Sequence, residues 1–142
     1  MNFLLDTNVV SEWVKPRPNT NVMRWVFEAN EDQIFLSVLT FAEIRQGVDE
    51  LAPGSRRSAL NAWLENELVM RFEGRILNVD LQIANAWGAM IARSKKMALS
   101  LGAVDAFFAA TASANEMTFV TRNTRSFEGL GIQLFNPWNA IS

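Results

Sequence analysis

A chain of 142 residues with no histidine, cysteine or tyrosine has few ways to do chemistry. Ser-His-Asp triads, paired-histidine ribonuclease chemistry, thiol or phenol nucleophiles, and metals held by His or Cys are all excluded. Carboxylates, hydroxyls, amides, lysine and arginine remain. Three carboxylates stand out by position: Asp6, Glu43 and Asp105. Asp6 ends the apolar run Asn2–Leu5. Glu43 lies one turn into the helical pattern Thr40–Leu51, and Asp105 opens the apolar stretch Val104–Asn115. Like charges gathered in low dielectric repel strongly, so convergence of the three calls for a cation. An oxygen-only donor set completed by waters suits Mg²⁺ or Mn²⁺. Such an ion acidifies a bound water and clamps a phosphodiester for in-line attack.

Each carboxylate also has a structural reading. Asp6 and Asn8 suit a turn in which each side chain caps its own loop. Thr40-Phe41-Ala42-Glu43 matches a capping box, with Thr40 as cap and Glu43 reaching back to its amide. Asp105 could cap the helix that follows it. Its apolar neighbours Ala106, Phe107 and Phe108 argue for burial, where a carboxylate needs a partner.

The elements that must position these groups alternate along the chain. Short apolar runs read as strands: Asn2–Leu5, Ile34–Val38, Arg75–Val79, Thr118–Thr121 and Ile132–Phe135. Val9–Val14 reads as a turn or two of helix, stopped by Lys15-Pro16-Arg17-Pro18. Helical spacing follows from Asn19 or Thr20 to Asn30, over Thr40–Leu51, from Ser55 to Phe72, from Leu81 to Lys96 behind Asp80 as cap, and over Val104–Asn115. Arg122–Glu128 reads as a loop or short helix. This alternation predicts an α/β fold: a mostly parallel sheet of four to five short strands with helices on both faces. Ligands in such sheets sit beyond the carboxyl ends of strands, at the topological switch. Asp6 falls there, as do Thr121, Arg122 and Asn123.

The size fits a single domain spanning residues 1–142. Composition is that of a globule, 49% hydrophobic and 20% charged, and the net charge of −2 argues against a basic nucleic-acid coat. The apolar stretch Met1–Leu5 is too short for a signal peptide and no run approaches a membrane span, so a cytoplasmic protein without membrane contact is expected. No glycine-rich phosphate cradle is present.

Taken in order, LLDTNVVSE, LSVLTFAEIRQGV, VDAFFAATA, FVTRN and a closing NPW resemble the PIN-domain ribonucleases over nearly the whole chain, in particular the VapC/FitB-like toxins of toxin–antitoxin pairs. The resemblance implies a single PIN domain, a Mg²⁺- or Mn²⁺-dependent endoribonuclease acting on RNA, and a homodimer. It also implies a cognate antitoxin, a small DNA-binding protein whose C-terminal segment blocks the acidic crevice. Asp6, Glu43 and Asp105 take the family's catalytic positions. Asp6 and Asp105 are then the main metal ligands, and Glu43 holds the metal through water or orients the attacking water. Asn8, Thr121 and Asn123 are supporting residues. Many relatives carry acids where this chain has Asn123 and Ser126, which puts a second metal in doubt. An alternative follows: a catalytically weak or inactive PIN-like module that binds an antitoxin/operator complex. Phosphoryl transfer with Asp6 as nucleophile ranks lower, because Asn8 stands where such enzymes carry a second aspartate.

Overall fold

The computed structural model describes residues 1–139. Five short strands form it: β1 (Phe3–Leu5), β2 (Ile34–Ser37), β3 (Ile76–Leu77), β4 (Thr118–Val120) and β5 (Leu134–Phe135). All neighbours pair in parallel, in the order β3-β2-β1-β4-β5. The chain therefore walks outward from β1 through β2 to β3, then returns to the other side of β1. That reversal puts the topological switch between β1 and β4, where a crevice opens at the strands' carboxyl ends.

Alternation along the strands divides the core into two layers. Leu5 and Val120 enter the layer with Val9, Val10, Val22, Ile44, Val48 and Leu68, which come from helices α1 (Thr7–Glu12), α2 (Thr20–Glu28), α3 (Val38–Asp49) and the helical stretch after Gly54. That stretch runs as α4 (Ser55–Ala62), a π-helical segment (Trp63–Leu68) and α5 (Val69–Arg71). Leu4 and Phe119 point the other way, onto α6 (Leu81–Lys96) and α7 (Ala103–Ala114) through Met90, Phe108, Ala109 and Ala112. Covered on both faces, the strands need no polar side, which is why they read as continuous apolar runs.

The local signals act mostly as expected. Asp80 caps α6 by accepting from the Ile83 amide at 2.9 Å, and Arg93, Lys95 and Lys96 fill its last turn, where cations suit the helix dipole. Two capping expectations are overturned. α3 starts at Val38 with Ser37 as its cap, whose hydroxyl accepts from Leu39 N at 3.1 Å, so Thr40 and Glu43 form no capping box. Asp105 is not a cap either. Gly102 holds that position and Asp105 lies in the first turn of α7. The segment after β4 is a 3₁₀ helix, Thr124–Phe127. Among the described residues no helix is long and apolar enough to cross a membrane.

Candidate functional site

Asp6 is held at the switch point from three directions. Its backbone N–H still donates to Val120 O at 2.8 Å, prolonging the β1–β4 ladder by one bond. Its side chain then turns over the start of α1. Oδ1 accepts from Thr7 N at 2.7 Å and Oδ2 accepts from the hydroxyl of Thr121 at 2.7 Å. Asn8 Nδ2 approaches Oδ2 more loosely, at 3.4 Å. Asp6 does cap α1, so the structural reading of this residue is realised together with the placement at the crevice.

At 8% exposure, Asp6 is a carboxylate largely stripped of water. Burial pushes its pKa up. The hydrogen bonds from Thr121 and Thr7 pull it back, and the charges of Glu43 and Asp105 raise it again, leaving it at about 6. Asp6 thus feels the charge of both other predicted acids. Burial also holds half-buried Asp105 above the usual aspartate range.

Glu43 stands on the exposed side of α3, and its Oε1 accepts from the Thr7 hydroxyl at 2.5 Å. Thr121 is fully buried, and its oxygen also accepts from Asn123 N at 3.0 Å. Asn123 therefore joins the network through its backbone, while its side chain caps nothing. Hydrogen bonds connect Asp6 with Asn8, Thr121 and Asn123, and through Thr7 with Glu43, whereas Asp105 acts on Asp6 by its charge alone.

Sequence reading misses Thr7, gives Thr40 only as a helix cap, and passes over Glu12, a buried carboxylate in the last turn of α1. Thr7 touches both Asp6 and Glu43, and Thr40 lies 3.2 Å from the Thr7 hydroxyl. Glu12 is only 5% exposed and binds Asn19 N at 2.8 Å and Lys15 Nζ at 2.8 Å. Burial pushes the Glu12 carboxyl upward, but Lys15, the Asn19 amide and the charge of Arg122 outweigh it and hold the group below its ordinary value. The only sequence signal for this pair is a lysine three residues after a glutamate.

The donor set fits a hard cation. Every candidate ligand is an oxygen, and the charges of Glu43 and Asp105 raise the proton affinity of Asp6, a strain that a positive ion relieves. Asn8 Oδ1 is buried without a hydrogen-bond partner, a carbonyl oxygen left over beside Asp6. Among the described residues no three acidic side chains stand close enough to cage an ion unaided. Waters would have to complete the shell, as Mg²⁺ prefers.

Beside Glu43 a groove of about 290 Å³ opens between α1, α3 and α4, walled by Ile44, Val48, Leu60 and Trp63 with Thr7 and Glu43 at its margin. Val14 and Trp63 continue into a second hollow of about 710 Å³ beyond α1, where Trp13, Met23 and Phe27 are exposed to it. The two hollows share Val14 and Trp63 and together make a mainly apolar trough, edged by Lys15 and Arg56 in the first and by Arg24, Glu67 and Arg71 in the second.

Fold and site define an all-parallel α/β domain with an oxygen-only acidic crevice at its switch point. The chain belongs to the PIN domain family, whose profile matches residues 3–132. It is similar to Toxin FitB of Neisseria gonorrhoeae, 37% identical over 96% of this chain and 98% of the relative. It is also similar to VapC ribonuclease Y4jK of Sinorhizobium fredii, 35% identical over 95% of this chain and 96% of that protein. Among solved structures, FitAB bound to an IR36 DNA fragment superposes with a TM-score of 0.93 at 36% identity, covering 99% of this chain and 98% of the other.

Proposed function

We propose that this chain is the Mg²⁺- or Mn²⁺-dependent endoribonuclease toxin of a toxin–antitoxin pair, working as a homodimer. The observation that carries the reading is the hydrogen-bonded chain Thr121–Asp6–Thr7–Glu43 at the switch point, with the Asp6 carboxylate buried in it. Relatives that share over a third of their residues with this chain bear the names toxin and ribonuclease. Asp6 and Asp105 would hold the ion, with Glu43 reaching it through water. When bound, the ion supplies a water of lowered pKa and neutralises charge on the scissile phosphate. The chain's own residues do the rest. Thr121 and Thr7 fix both oxygens of Asp6, so its carboxylate keeps one orientation without solvent. Glu43, exposed and anchored through one oxygen, has the other free to align the attacking water and take its proton.

The test is direct. The purified protein should cut RNA with Mg²⁺ or Mn²⁺ and stop with EDTA. RNA left intact by the metal-loaded protein would favour the binding-only module instead, with Asn123 and Ser126 in place of acids marking lost activity.

The antitoxin reading rests on the trough. FitB's solved assembly, FitAB, carries DNA, which suits a small DNA-binding partner. The apolar trough ends at Glu43, so an apolar segment of the antitoxin lying along it could place a basic side chain on that carboxylate. Phe27 is 90% exposed at the far end, and its replacement should leave the fold untouched. Phe27→Glu should keep RNA cleavage at the wild-type rate and weaken antitoxin binding about thirtyfold, the usual effect of losing an aromatic anchor. Inhibition titrations with the cognate antitoxin provide the measurement. Identical inhibition curves would place the antitoxin elsewhere.

A further inference from the structure

We propose that Thr7 is a positioning residue that ties Glu43 to Asp6, an inference that rests on the ribonuclease reading of this site. One residue makes both bonds. Its backbone N–H donates to Asp6 Oδ1 at 2.7 Å and its hydroxyl to Glu43 Oε1 at 2.5 Å. The two carboxylates come from segments 37 positions apart, and among the described residues the side-chain hydrogen bonds between α1 and α3, to Thr40 and to Glu43, both run through the Thr7 hydroxyl.

The proton bookkeeping gives the hydroxyl a direction. An ionised carboxylate only accepts, so the single Thr7 hydroxyl proton goes to Glu43. The 3.2 Å contact between Thr7 Oγ1 and Thr40 Oγ1 must then use the Thr40 proton. Thr40 is fully buried in the first turn of α3, so its own position is set by packing. Core thus fixes Thr40, Thr40 orients Thr7, and Thr7 orients Glu43. This matters because Glu43 is exposed, and an exposed glutamate otherwise samples many rotamers, at a cost whenever it must be ordered. With Thr7 in place that ordering precedes the arrival of metal or substrate.

Thr7→Val keeps the shape and the backbone N–H, and so the bond to Asp6, but removes the hydroxyl. Thr7→Ser restores it. The valine variant should lose turnover by about tenfold to a hundredfold with KM for RNA little changed, as expected when a reacting group is left misplaced. Serine should bring back most of the rate. Mn²⁺ titration by calorimetry should show weaker binding in the valine variant and recovery in the serine variant. In a Glu43→Ala background, Thr7→Val should change neither quantity, because a positioning residue acts only through its partner.

Wild-type turnover and Mn²⁺ affinity in Thr7→Val would overturn the proposal. So would a full further loss in the Glu43→Ala background, which would mark a general structural role. Should the wild-type protein leave RNA intact, the ribonuclease reading fails by itself, and the Mn²⁺ affinities of the same variants still decide for or against Thr7.

Discussion

Asp6→Asn should reduce RNA cleavage by about a thousandfold and, with metal removed, make the protein more stable at neutral pH. On the metal-dependent function proposed above, the first effect follows from losing the central charged ligand, which is worth several kcal/mol of transition-state stabilisation. The second follows from the position of its pKa, raised from 3.8 to about 6. A raised carboxyl pKa means that the folded state binds the proton more tightly than the unfolded chain. Its contribution is then fully present below about pH 4 and is lost as pH rises through about 6, amounting to about 3 kcal/mol. An amide carries no charge to bury, so the asparagine variant should lose this pH dependence. Its carbonyl can still accept from Thr7 N, and its NH₂ can donate to Thr121 Oγ, so the local fold should persist. Denaturant unfolding in EDTA between pH 4 and 8 compares the two proteins. Parallel curves would show that another group titrates. Adding Mg²⁺ at pH 7 should stabilise the wild type and leave the variant almost unchanged, since only the ionised site attracts the ion.

The same residues show where sequence reading succeeds and where it stops. Asp6 was legible because an apolar strand ending in an acid has one place to go in a parallel sheet, the carboxyl edge. Asp105 was legible because a carboxylate inside Val104–Ala110 is conspicuous, although the first turn of α7 begins earlier than its N-cap reading supposed. Glu43 was found on the right helix with the wrong cap. Ser37 is the last residue of β2 and the cap of α3 together, which frees Thr40 to turn inward. Local spacing cannot choose between two hydroxyl caps three residues apart; packing does. Strand lengths fail for a similar reason. β3 pairs only with Leu36 and Ser37, and the ladder stops where α3 begins, so Arg75–Val79 is cut to two paired residues. β5 is likewise limited to the partners Phe119 and Val120 on β4. Thr7 stayed invisible because its role depends on partners 33 and 36 residues away. Nothing within its own helix hints at them.

Thr121→Val should act on Asp6 in the opposite sense. The Thr121 hydroxyl gives Asp6 its strongest compensating bond, 2.7 Å long and fully buried, and accepts from Asn123 N on its other side. Valine matches the volume, so packing should hold. Asp6 Oδ2 is then left with the loose 3.4 Å contact to Asn8, and its pKa should climb further above the value it has with Thr121 present. Two consequences follow with fixed signs. The acidic limb of the pH–rate profile with Mg²⁺ should move to higher pH, because the ionised form that the proposed metal-dependent function requires appears later. Metal-free stability should fall by about 2 kcal/mol above pH 7, where the buried charge has lost a charge-assisted hydrogen bond. That deficit should shrink towards pH 4, where Asp6 is protonated in both proteins and the missing bond is a weaker one. Thr121→Ser, which keeps the hydroxyl, should behave as wild type in both measurements apart from a small packing loss. A stability deficit of equal size at pH 4 and pH 8, with an unmoved pH–rate limb, would reduce Thr121 to a core residue and leave the orientation of Asp6 to Thr7 alone.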